Sequence, residues 1–184
     1  MVINKFRAFL ILSLILWNYL SLKIKKNSNY KLSFVLPSLF LFFIYCQIII
    51  GAFVSGMDAG QIYNSWPLMG SSYFPDDNIL INLFKLSAFS DPSLVQFMHR
   101  NLAYLILLFY LLILIQIYRK NLRELYSVIS IVGFFLFIQI FLGVLTLVYG
   151  AQIILASMHQ ISSIFLVSSS VYLLYLNSNQ QPSS

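Results

Sequence analysis

Long apolar runs separated by short polar stretches set the pattern of this 184-residue chain. Residues 32–57 and 101–118 carry no charged side chain, and neither do residues 125–184 apart from a possible histidinium. About 20 apolar residues cross the hydrocarbon core of a membrane as a helix. The last run is too long for one crossing, and Gly150-Ala151-Gln152 predicts a turn within it. The pattern therefore predicts four transmembrane helices, over residues 33–56, 94–118, 125–149 and 152–176.

A fifth, weaker helix is predicted over residues 6–22. It has Lys5 and Arg7 in front and Lys23 behind, so a secretory signal peptide is the alternative interpretation. No small-residue cleavage site follows the apolar part, and we therefore expect the helix to be retained. The predicted fold is an all-α, polytopic membrane protein. Residues 1–26 form an N-terminal hydrophobic helix, and residues 27–184 form a four-helix transmembrane bundle with an outer loop at 57–93.

Composition excludes a soluble domain. Hydrophobic residues make up 60% of the chain and charged residues 9%, and the mean hydropathy is +0.85. Because irregular backbone cannot lie exposed in lipid, helices are the expected spanning elements. Cys46 is the only cysteine, so this chain alone builds neither a disulfide nor a thiolate metal site, and we expect it to pack in the core.

The placement of basic residues orients the helices. Lysine and arginine cluster in 23–31 and 119–123, whereas the loop 57–93 has four aspartates against Lys85. Cytoplasmic loops collect positive charge, so the loop 57–93 is predicted to lie outside. The net charge of +6 then reflects topology and contact with lipid headgroups. A nucleic-acid partner is excluded because the basic residues are not gathered on one face.

The only two histidines, His99 and His159, lie near the outer ends of two predicted helices. At about 1.5 Å of rise per residue, their depths differ by only a few ångströms. They either donate single interhelical hydrogen bonds or bind a haem iron between them. A zinc or copper ion would require a third protein ligand, for which Asp58 is the nearest candidate. We favour haem, because the pair is matched in depth.

An internal repeat supports this pairing. Four short motifs of the first half recur in the second half at one constant offset of 92 residues, which indicates two helical hairpins of common design. The recurring pairs are Phe42-Phe43 with Phe134-Phe135, Gln47-Ile48 with Gln139-Ile140, Gly51 with Gly143, and Ala59 with Ala151. In each hairpin a glycine-containing helix runs outward, and the returning helix carries Met-His near its outer end.

Small residues flank both histidines, at Ala103 on one helix and at Ala156, Ser162 and Ser163 on the other. They provide space for a macrocycle or simply allow close helix packing. Arg100 either pairs with a haem propionate or extends to the membrane interface. Residues 55–69, rich in glycine, proline and aromatics, predict an ordered lid over the outer face.

These motifs together resemble a known family. They are Gly51 to Gly60, Tyr63-Asn64, Pro67-Leu68-Met69, Gln96 to Arg100, Gln139-Ile140 with Leu142-Gly143, and Ala156 with His159-Gln160. Over roughly residues 33–176 the chain resembles the second half of haem A synthase. The resemblance implies that His99 and His159 are the axial ligands of a haem b in the second of two four-helix bundles. It also implies that the complete enzyme oxidises a methyl group of haem o to a formyl, through hydroxylated intermediates, giving haem a for cytochrome oxidase.

The chain also departs from that family. The family's first bundle has its own histidine pair and an acidic residue thought to serve haem o, and this chain has no counterpart for them. Residues 4–20 look like the end of the first bundle's last helix, but the histidine expected after Phe6-Arg7 is missing. We therefore assign no catalytic residue. We expect a first-half bundle to complete the enzyme, either from a separate chain, as a split-gene product or a homologous partner, or from a missing upstream part of the reading frame.

Two other functions are compatible with the sequence. One is a free-standing b-type haem protein of the membrane, with two histidine ligands, that transfers electrons from quinol. The other is a non-functional fragment whose histidines only pack the core. Because no arginine- and serine-rich leader is present, a bacterial inner membrane is favoured over a mitochondrial one.

Overall fold

The fold is a bundle of five helices, seen in a computed structural model that describes residues 2–24 and 32–178. The helices are α1 (Val2–Lys23), α2 (Val35–Gly56), α3 (Pro92–Arg119), α4 (Tyr126–Val148) and α5 (Ile153–Ser178). All five are long and apolar enough to cross a membrane. Among the described residues there is no strand, only one isolated bridge between Met69 and Ser72. The all-α prediction and all five predicted helices are confirmed.

Local sequence signals explain the helix ends next to the site. Pro92 occupies the first turn of α3, and the Asp91 side chain accepts a hydrogen bond from the Leu94 amide at 3.0 Å. Between α4 and α5, Gly150 and Ala151 have φ values of 68° and 56°. This left-handed backbone favours glycine, and it confirms the predicted turn.

The helices pair as two hairpins, α2 with α3 and α4 with α5, and α1 packs against α2 and α5. The α1 contacts include a hydrogen bond of 2.5 Å from the Tyr45 hydroxyl to Ser13 Oγ, and an edge contact between the rings of Trp17 and Tyr175. The helix predicted to be weakest is therefore an integral part of the described bundle. The predicted boundary between residues 26 and 27 lies outside the described residues.

Side chains are packed unevenly along the bundle. Fully buried aliphatic residues such as Ile113, Ile129 and Val167 concentrate toward the inner half. In contrast, residues 153–161, the outer part of α5, include no buried residue. The inner half thus contains most of the buried aliphatic side chains, and the outer part of α5, where His159 lies, is less covered by the described residues.

The outer loop between α2 and α3 is ordered, as the sequence predicts. It contains three short 3-10 helices, Ala59–Gln61, Leu80–Phe84 and Leu86–Ser90. The Asn64 side chain donates to the Leu147 carbonyl of α4 at 2.9 Å, so the loop also contacts the second hairpin. Its function as a lid stays a prediction.

Candidate functional site

His99 lies in the second turn of α3, with its ring against Gly51 of α2. A Cβ atom added at Gly51 would lie 3.0 Å from His99 Cε1, 3.6 Å from Nδ1 and 3.8 Å from Nε2. No other residue type leaves this space on the helix surface, because glycine alone lacks a Cβ. The glycine therefore allows the ring to lie directly on the backbone of α2.

His159 of α5 has the same relation to Gly143 of α4. The corresponding distances from an added Cβ are 3.1 Å to Cε1, 3.6 Å to Nδ1 and 3.8 Å to Nε2. Gly51 and Gly143 are equivalent positions of the 92-residue repeat. The two hairpins thus place a glycine at nearly the same distances from each imidazole ring.

The polar partners of the two rings differ. Gln47 Nε2 lies 3.2 Å from His99 Nε2 and donates to the His99 carbonyl at 3.0 Å. The equivalent glutamine of the second hairpin, Gln139, makes no side-chain hydrogen bond to the His159 ring among the described residues. The Gln139 side chain accepts a hydrogen bond of 3.0 Å from Ser162 Oγ. Sequence reasoning assigned the two glutamines and the two glycines to the repeat but not to the site.

Each ring has one nitrogen atom without a partner. The Nδ1 atoms of His99 and His159 are buried and find no hydrogen-bond partner among the described residues. Buried polar atoms are nearly always paired, so these two require an explanation. Neutral imidazole nitrogens in such surroundings are suited to bind a metal.

The donor set fits a haem better than a bare metal ion. Within residues 2–24 and 32–178, no group of three or more His, Cys, Asp and Glu side chains could hold an ion. A porphyrin supplies four equatorial nitrogens itself, so two axial imidazoles are sufficient. The predicted small residues have mixed surroundings: Ala103, Ala156 and Ser163 are half-buried, and Ser162 is buried and bonded to Gln139.

Arg100 contacts the outer loop. It donates to the carbonyls of Tyr63 at 2.9 Å, Ser65 at 2.9 Å and Leu68 at 3.1 Å. Gln96 Nε2 donates to the same Tyr63 carbonyl at 3.1 Å. This clamp on the loop was not predicted, since backbone carbonyls leave no signal in a sequence. Contact with a propionate stays a prediction.

Arg100→Gln is expected to loosen the loop, because a carboxamide cannot reach three carbonyls. A hydrogen bond to a charged group contributes about 1.5–3 kcal/mol. Amide exchange at residues 63–68 is therefore expected to accelerate about tenfold or more, measured by hydrogen-exchange mass spectrometry in detergent. Arg119→Gln, at the exposed inner end of α3, is the matched control. Unchanged exchange in Arg100→Gln would contradict the clamp.

Two aspartates stabilise the loop further out. Hydrogen bonds from the Ser71 amide, the Ser72 hydroxyl and the Ser71 hydroxyl lower the pKa of the exposed Asp76 carboxyl. For Asp77, desolvation opposes ionisation, but hydrogen bonds from Ser93 and Tyr63 outweigh it and the pKa is lowered as well.

The loop is therefore expected to weaken in acid. A lowered carboxyl pKa adds stability that is complete above the ordinary value of about 4, and that stability is lost as the pH falls through the lowered pKa. In a Trp17→Phe background, Trp66 fluorescence reports on the loop between pH 6 and pH 2. The transition is expected to become smaller in Asp76→Asn, and an unchanged transition would exclude this carboxylate as its cause.

Comparison with known proteins gives a consistent result. Residues 6–171 match the family model COX15-CtaA, described as cytochrome oxidase assembly protein. The chain is 46% identical over 177 residues to the heme A synthase of Pelagibacter ubique, which covers 94% of this chain and 51% of that protein. It is 37% identical over 169 residues to that of Rickettsia bellii, covering 86% of this chain and 50% of that protein.

The chain thus spans about half the length of the curated relatives it matches. No solved structure matches it. The family model extends over the first hairpin, most of the second and most of α1, and includes Gly51, His99, Gly143 and His159. The chain belongs to the COX15-CtaA family of cytochrome oxidase assembly proteins.

Proposed function

We propose that this chain is the haem b-binding half of a haem A synthase, and that His99 and His159 are the axial ligands. The observation that carries the proposal is the duplicated arrangement of ring, glycine and unpartnered Nδ1 in two hairpins. Two isolated hydrogen-bonding histidines would not each leave a buried nitrogen unsatisfied. The iron would be saturated by six nitrogens, so the haem would transfer electrons or support the fold rather than bind oxygen.

The residues of this chain would hold and enclose the cofactor. Gly51 and Gly143 bring the rings close to the helix backbones, and the loop fastened by Arg100 covers the outer end. The acidic residues are few, Asp58, Asp76, Asp77, Asp91 and Glu124. Each is in a loop or a short turn rather than within one of the five long helices. None is therefore positioned to act on a substrate inside the membrane.

Oxidation of the methyl group of haem o to a formyl would therefore require a first-half bundle. The relatives named heme A synthase are about twice as long as the matched region, so we propose that such a bundle, on a separate chain or on the same polypeptide, completes the enzyme. The relatives from Pelagibacter and Rickettsia are bacterial proteins, which supports a bacterial inner membrane as the location of this chain.

The test is expression in bacterial cells that make haem o but lack their own haem A synthase. The purified chain is expected to show the reduced-minus-oxidised spectrum of one low-spin haem b per polypeptide. Extracted haems are expected to include haem a only when the first half of the Pelagibacter relative is co-expressed.

Each alternative gives a different result. Purification without haem would leave the histidines as packing residues and contradict the proposal. Haem b without haem a, in the presence of a first half that pairs with the chain, would favour a free-standing electron carrier. Haem a made by this chain alone would show that the second half is sufficient.

A further inference from the structure

Gln47 is a polar side chain inside an apolar helix, and all of its bonds are to His99. Its Nε2 atom lies near the ring Nε2 at 3.2 Å and donates to the His99 carbonyl at 3.0 Å. Its Oε1 atom is buried and has no partner among the described residues. The Gln47 side chain thus contacts both the ring and the backbone carbonyl of His99.

The unpartnered atoms of this pair are complementary. A neutral imidazole has one N–H and one lone pair. When His99 Nε2 accepts from the Gln47 amide, Nδ1 carries the proton and has no acceptor, while Gln47 Oε1 has no donor. If one ring nitrogen gives its lone pair to a metal, the other carries the proton and needs an acceptor. The Gln47 carboxamide has both a hydrogen-bond donor and an acceptor beside the ring. It can therefore form a hydrogen bond with either tautomer of His99.

We infer that Gln47 is a positioning residue that orients His99 and accepts its ring N–H when the histidine binds iron, an inference that rests on the proposed haem site. An acceptor on a ligating imidazole increases its basicity and stabilises ferric iron, which lowers the reduction potential. Gln47 therefore tunes the haem through His99 without touching the iron.

The second hairpin does not repeat this contact. The Gln139 side chain accepts a hydrogen bond of 3.0 Å from Ser162 Oγ, and no hydrogen bond joins it to the His159 ring among the described residues. Removal of the Gln139 side chain would therefore remove no hydrogen bond of the His159 ring. Gln139 is therefore a matched control at the equivalent position of the repeat.

The experiment compares Gln47→Leu, Gln47→Glu and Gln139→Leu in the full chain, purified with haem. Gln47→Leu is expected to raise the midpoint potential, alter the low-spin electron paramagnetic resonance signal and weaken haem retention by about 10- to 100-fold. Gln47→Glu, which keeps an acceptor, is expected to retain haem and not to shift the potential upward. Gln139→Leu is expected to keep the parental potential.

A role in packing alone would not separate the leucine and glutamate variants in this way. Parental potential and signal in Gln47→Leu would overturn the inference, as would an equal upward shift in Gln139→Leu. If Gln47→Leu does not fold, an upward shift in Gln47→Glu would overturn it. A parent chain without haem would overturn the proposed function and this inference together, whereas a haem-loaded parent with indifferent Gln47 variants overturns the inference alone.

Discussion

Alanine at either His99 or His159 is expected to abolish the low-spin haem spectrum, since each substitution removes one of two axial ligands. A single remaining imidazole leaves a five-coordinate iron, which is high-spin or is lost during purification. Loss of most of the haem is expected in both variants, measured as the haem-to-protein ratio and the reduced-minus-oxidised spectrum. The equal effect follows because both rings would be ligands and because each lies against an equivalent glycine.

Control variants separate ligation from folding. Met98→Ala and Met158→Ala change the neighbouring positions and are expected to retain haem. Imidazole added to His99→Gly or His159→Gly during purification is expected to restore part of the low-spin signal, because it replaces the missing ring. A parental spectrum in either alanine variant would exclude that residue as a ligand.

The helices could be predicted because lipid imposes a simple rule on sequence. Every backbone group of a spanning segment must bond within the segment, so uncharged runs of sufficient length are helices. The α4–α5 turn was also predictable, since Gly150 tolerates a positive φ value. Arg100 was different. Its partners are the carbonyls of Tyr63, Ser65 and Leu68, 32 to 37 residues away, and their positions depend on the loop fold.

The candidate site was predictable only in part. His99 and His159 could be predicted as site residues because they are the only two histidines of the chain and lie at matched depth. The 92-residue repeat paired Gln47 with Gln139. The repeat alone assigned no function to either glutamine. In the structure Gln47 is bonded to His99, whereas the carboxamide of Gln139 is bonded to Ser162. Such a division of roles depends on helix packing and is not present in the sequence pattern.

Gly51→Leu is expected to prevent haem binding while leaving the helices formed. The added Cβ lies 3.0 Å from His99 Cε1, closer than ordinary contact, and the remaining atoms of leucine have to occupy the space of the ring. Displacing a buried side chain in this way costs about 1–3 kcal/mol of folding free energy. The His99 ring must then leave its contact with α2, which is the contact that matches that of His159 with α4. Haem content is therefore expected to fall to near that of His99→Ala.

A graded series makes this prediction specific. Gly51→Ala requires the ring to move by only a few tenths of an ångström, and partial haem retention is expected. Gly143→Leu is expected to have the same effect through His159, since an added Cβ there lies 3.1 Å from its Cε1. Ser55→Leu adds a larger side chain one turn further along α2, at an exposed position, and is expected to bind haem like the parent. Full haem content in Gly51→Leu would show that the ring can bind elsewhere, and that close approach of His99 to α2 is not required.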